Sequence, residues 1–188
     1  MITIGEWLNP TRAVGLLAYG TATICCGIAW VRAKNQGQDW RLPALLTLIE
    51  SVLLLDIAVN GRWMLHAFVG DFARQRHEYE LRKEPQVIAL AILAALLLWG
   101  LFAAQRVLRG KAGDRLAVSG ILLSVVVWCV EVVSLHDVDH ILYHHVGKWM
   151  AVSALWILAC LMTSFGMLVV SGHAKPFAES TGIESAGS

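Results

Sequence analysis

Residues 87–104 read VIALAILAALLLWGLFAA, eighteen positions without a charge. As a helix rising about 1.5 Å per residue this run reaches about 27 Å, close to the ~30 Å hydrocarbon core of a bilayer. No water is available there to satisfy exposed peptide groups, so the run has to form a helix. Pro85 stands just before it, where a missing N–H costs least.

Four more runs of similar length flank this one: Ala13–Val31, Leu42–Phe68, Leu116–Leu135 and Trp149–Gly172. Five runs predict an all-α, polytopic integral membrane helix bundle with five transmembrane helices near 13–31, 42–68, 87–104, 116–135 and 149–172. Residues 1–174 read as one transmembrane domain. Residues 175–188, with Pro, Gly, Ser and Glu, read as a disordered tail. The 69–86 stretch, VGDFARQRHEYELRKEPQ, is rich in alternating charge and suits an amphipathic surface helix. Gly15, Gly20, Thr21, Thr23 and Gly27 predict close helix contacts on the first segment.

Composition agrees with this reading. Of 188 residues, 57% are apolar and 15% charged, and the mean hydropathy is +0.61. Soluble domains run near 45–50% apolar and 25% charged. A soluble enzyme and a disordered chain are thereby excluded. The formal charge of +1 and the lack of a polybasic arm exclude a nucleic-acid partner. The cysteines, Cys25, Cys26, Cys129 and Cys160, lie in apolar runs without CxxC spacing. The first segment has no signal-peptide pattern and reads as a retained helix. The expected partners are the lipid bilayer and other membrane subunits or further copies of the chain.

Loops one and three are short and basic, with Arg32, Lys34 and Arg41 in one and Arg106, Arg109, Lys111 and Arg115 in the other. The excess of Arg and Lys places them in the cytoplasm. The amino terminus and loops two and four then face outward, in a membrane of the bacterial inner type.

Loop four holds the densest chemistry. Residues 135–147 read LHDVDHILYHHVG. His136, His140 and His144 are spaced by four, which stacks side chains on one helical face. If the fourth helix continues past Leu135, it carries an imidazole stripe three turns long, with Tyr143 beside it. Imidazoles at i and i+4 can share one metal ion. Copper or iron would suit redox work, and zinc hydrolysis or structure. His66, at the end of the second segment, falls on the same side and is the best further ligand. Asp137 and Asp139 would orient imidazole rings. The spacing HxxxH followed by HxxxHH resembles a fragment of the histidine boxes of membrane fatty-acid desaturases and hydroxylases. Those enzymes spread their histidines over three boxes and this chain has one, so their activity is not implied.

Acids inside the apolar runs form a second constellation. Glu50 and Asp56 interrupt the second segment and Glu131 the fourth. A carboxylate at bilayer depth is costly and usually faces the bundle. Glu131 and Asp56, with Tyr143, are expected in a proton path or around a ligand. On an unbroken second helix Asp56, Asn60 and Trp63 would share one face, and Arg62 and His66 another.

Three functions are compatible with these features. The first is a membrane protein with a transition-metal site at its outer face, a redox enzyme or a subunit of one. The second is an electron-transfer subunit linked to quinone or to haem b, with His66 and His136 as axial ligands. The third is a non-catalytic assembly subunit of a membrane complex.

Overall fold

The structure, a computed structural model, describes residues 10–62, 64, 65, 68, 71, 83–108, 111–133, 142–146 and 149–172. Five helices long and apolar enough to cross a membrane account for most of them. They are α1 (Pro10–Asn35), α2 (Arg41–Val59), α3 (Lys83–Val107), α4 (Ala112–Val133) and α5 (Ala151–Gly172). A two-residue strand pair, β1 (His145–Val146) and β2 (Trp149–Met150), precedes α5 and runs antiparallel. The chain is a polytopic membrane helix bundle.

Helix α1 packs against α2 and α5, and α5 packs against α4. Helix α3 leans mainly on α4 from outside. Its Ile88, Ile92, Leu96, Trp99 and Phe102 are exposed, as lipid-facing positions should be. The interior has two apolar clusters. One gathers Tyr19, Leu53, Ile57, Val127 and Trp156 toward the end where α2 and α4 finish. The other gathers Cys26, Leu46, Ala117, Ile121 and Met167 toward the opposite end.

Backbone approach between α4 and α5 depends on small residues. A Cβ on Gly120 would stand 2.6 Å from the Ala159 carbonyl oxygen, and one on Gly166 would stand 2.5 Å from the Ala117 nitrogen. The tightest glycine seam therefore lies on α4 and α5. On α1 only Gly15 is crowded, by Ile57 and Trp156, while Gly20 has nothing within 4 Å. The packed face of α1 runs through Gly15, Ala22, Cys26, Ala29 and Ala33, so small residues line its contacts along the helix while Gly20 lies off that face.

Helix ends follow from local chemistry. Pro10 opens α1 and Gly37, at φ +66°, follows its end. The Asp39 carboxylate accepts the Arg41 N–H at 3.1 Å, at the positive end of α2.

The second segment departs from the expectation of an unbroken helix over 42–68. Helix α2 ends at Val59, and Asn60 adopts the left-handed conformation, φ 61° and ψ 36°. Its N–H closes on the carbonyls of Asp56 and Ile57. From α1, Arg12 donates Nε to the Ile57 carbonyl at 3.0 Å and Nη2 to that of Ala58 at 2.5 Å. The orphan carbonyls of this helix end are thus capped by backbone and by a guanidinium. Asparagine tolerates this conformation far better than a β-carbon without a local polar group. Asn60→Ala should cost ~1–2 kcal/mol and Asn60→Gly close to nothing, measured by thermal unfolding in detergent.

The fourth segment begins earlier than expected, at Ala112, and is described to Val133; residues 134 and 135 of the expected run lie outside the described residues. Leu142 is helical, Tyr143 lies in a turn, and His144 leads into β1. His144 therefore sits off any helix, and an imidazole stripe on one continuous helix cannot include it. The cause is the strand pair: Val146 pairs with Trp149 across the two residues Gly147 and Lys148, a spacing typical of hairpins. Trp149 belongs to β2 and not to the fifth helix.

Candidate functional site

The break at Asn60 redirects the chain, and Arg62 turns back over the end of α2. Its Nε donates to Asp56 Oδ2 at 2.7 Å. Its Nη1 donates to Glu131 Oε2 on α4. The guanidinium carbon also stands 5.2 Å from the centre of the Trp156 ring on α5. Trp156 Nε1 donates to the same Glu131 oxygen at 3.2 Å. One cation thus ties together α2, α4 and α5. Arg62 and Glu131 are each 4% exposed. Gly61 allows this approach, since a Cβ there would press on Asp56 Oδ1 at 2.7 Å.

The balance of forces here is that of a buried ion pair. Withdrawing each charge from water costs several kcal/mol, and only close geometry with further hydrogen bonds offsets it. Arg62 supplies that geometry to two carboxylates. Its Nη2, in contrast, has no hydrogen-bond partner. A buried unmatched donor costs ~1–3 kcal/mol.

A cavity of about 200 Å³ adjoins the cluster. Arg62, Glu131 and Trp156 line it, together with Arg12 of α1, Asn60, and Tyr143 from the segment after α4. Thr11 Oγ1 accepts the Met150 N–H at 3.2 Å and closes one wall. The His144 carbonyl accepts the Ala151 N–H at 3.0 Å, which ties the strand pair to the start of α5. The lining thus combines two guanidinium groups, of Arg12 and Arg62, with the Glu131 carboxylate, the Trp156 ring and the Tyr143 side chain.

The residues predicted from sequence divide into three groups. Asp56 and Glu131 meet through Arg62, and Tyr143 lines the same cavity. His144 lies at this end of the bundle and is exposed. His66, His136, His140, Asp137 and Asp139 lie outside the described residues. Among the described residues, no group of three or more His, Cys, Asp or Glu could hold a metal ion. Sequence reasoning missed Arg62 as the organising residue, along with Trp156 and Arg12. The Asn60–Gly61 pair was the available signal, because such a dipeptide marks a turn even inside an apolar run.

No family model, curated protein or solved structure matches the chain.

Proposed function

We propose that this membrane protein works at the end of the bundle where α2 and α4 finish, as a redox or metal-handling subunit. The Asp56–Arg62–Glu131 cluster and its cavity receive a small ligand with acceptor oxygens. His136, His140 and His144 with His66 hold a transition metal, copper or iron for redox work.

One observation carries this reading. The histidine run is bounded in sequence by two residues near the cavity: Val133, two positions beyond Glu131 on α4, and Tyr143, which lines the cavity. Eight residues, 134–141, lie between Val133 and Leu142. At ~3.3–3.6 Å per residue they cannot carry His136 or His140 far from that end. Tyr143 and Arg62 line one cavity, and the proposed metal would adjoin it.

The opposite end carries the basic loop residues Arg32, Lys34, Arg41, Arg106, Lys111 and Arg115. That bias supports a cytoplasmic position for those loops and an outward one for the histidines.

The test is metal quantitation in detergent-purified protein across pH, for wild type and for His140→Ala with His144→Ala. A protonated imidazole cannot ligate, so occupancy should fall on acidification. The double variant should lose the metal at every pH. Metal content unaffected by the double change would refute the assignment. A haem spectrum would transfer the ligand role to His66 and His136 as an axial pair.

A further inference from the structure

The end of the bundle opposite the cavity carries its charge at one corner, where α3 gives way to α4. Between positions 105 and 115 the sequence holds four cations, Arg106, Arg109, Lys111 and Arg115, and one acid, Asp114. Arg106 and Lys111 are exposed and Arg115 is half-buried. Hydrogen bonds hold the corner together. Arg115 Nη1 donates to Gln105 Oε1 at 3.2 Å, which ties the first turn of α4 to the last turn of α3. The Arg115 N–H donates to the Lys111 carbonyl at 3.0 Å, and the Lys111 N–H to that of Leu108 at 3.1 Å. The Asp114 carboxylate stands 4.0 Å from Lys111 Nζ and balances a single charge. The corner is left with an excess of positive charge.

Its depth in the membrane follows from the apolar runs on either side. Arg106 stands two positions beyond the run 87–104, and Arg115 one position before the run 116–135. At about 1.5 Å per residue, both lie within about 3 Å of the edge of the hydrocarbon span, the level of lipid headgroups. The Arg106 guanidinium folds back over the Phe102 ring, 4.5 Å from its centre. Phe102 is 55% exposed and Trp99 70%. Both lie on the Arg106 side of α3, at four and seven residues' spacing. Helix α3 is the least buried of the five spans, so lipid reaches this face directly. From the hydrocarbon outward, the face reads indole, phenyl ring, guanidinium.

We propose that the α3–α4 corner binds an anionic phospholipid. Arg106, Lys111 and Arg115 hold its phosphate, and its acyl chains lie along Phe102 and Trp99. Guanidinium groups meet phosphate oxygens with paired donors, and the lysine adds a point charge. The excess positive charge selects a headgroup of net negative charge over a zwitterionic one, whose ammonium it repels. An aromatic, lipid-facing surface directly below the cations fits a lipid and not an acidic soluble protein. The bound lipid would bridge α3 and α4, fastening a helix that otherwise leans mainly on one neighbour. This site is separate from the Arg62 cavity and does not depend on the histidines.

The experiment is native mass spectrometry of the full-length, delipidated protein, titrated with phosphatidylglycerol or phosphatidylcholine in one detergent. Phosphatidylglycerol should bind at least tenfold more tightly. A basic side chain beside an anionic lipid contributes a factor of about five. Arg106→Gln with Arg115→Gln should therefore weaken phosphatidylglycerol binding at least tenfold and erase the preference. Arg32→Gln with Lys34→Gln removes two exposed charges from loop one at the same end and should leave the preference intact. An equal loss in that loop-one variant would mean diffuse attraction to the whole end and overturns the site. Phosphatidylcholine binding as tight as phosphatidylglycerol overturns it too. Inorganic phosphate that displaces the lipid at equal concentration would make the corner a site for free phosphate and refute the lipid assignment. Circular dichroism of each variant confirms that the fold is retained.

Discussion

Arg62→Met should cost the protein ~3–5 kcal/mol of stability, the magnitude expected when one partner of a buried ion pair is removed. The loss would come chiefly from what remains. Asp56 and Glu131 would be left facing each other without their cation, and Glu131 would keep only the Trp156 indole. A neutral triple variant, Arg62→Met with Asp56→Asn and Glu131→Gln, should recover most of the lost stability, because the desolvation of all three charges disappears together. Differential thermal unfolding of the single and triple variants in one detergent measures this coupling. If Arg62→Met unfolds like wild type, the cluster does not hold the helices together. If the triple variant is as unstable as the single one, the effect is packing and not charge. A triple variant that folds well and has lost its ligand would separate the cluster's structural and functional roles.

Gly166→Leu should be comparably damaging for a different reason. A side chain at 166 meets backbone of α4 on two sides: the Ala117 nitrogen at 2.5 Å and the Gly113 oxygen at 2.6 Å from its first carbon alone. Backbone cannot swing aside as a flexible side chain can, so α4 and α5 must separate. Overpacking penalties run ~1–3 kcal/mol, and a clash against a helix backbone belongs at the top of that range. Separation would also disturb the site, since Glu131 is on α4 and Trp156 on α5. Gly20→Leu is the matched control: the space there is open, and the change should leave unfolding within ~0.5 kcal/mol of wild type. Equal effects of the two changes would contradict the α4–α5 seam.

Much of the architecture was legible because transmembrane helices announce themselves by length and lack of charge. The run 87–104 needs no partner to be recognised, and α3 duly stands at the edge of the bundle. The intramembrane acids were legible for a related reason: a carboxylate among Val and Leu requires an explanation wherever it occurs. What pairs with them was not. Periodicity treats 42–68 as one helix and sends Arg62 to a different face from Asp56. The left-handed turn at Asn60 reverses that, and a single residue's φ does not show in hydropathy. The role of Trp156 was hidden because nothing in an apolar run marks one tryptophan as buried, while here it is buried and donates to Glu131. The α4–α5 seam was hidden too. Gly120 and Gly166 are isolated small residues in apolar runs until the two helices are set side by side. Glu50 was visible as a charge, but its lack of a partner is a property of the packed bundle alone.

On the proposed function, the histidines and the Arg62 cavity form one metal-dependent working end. Elemental analysis with a visible absorption spectrum, on wild-type protein purified in mild detergent at neutral pH, tests it most directly. The expected result is a transition metal in stoichiometric amount, copper or iron, bound by the histidines. Protein that is folded and pure yet carries neither metal nor haem, and takes up none when offered, would contradict it.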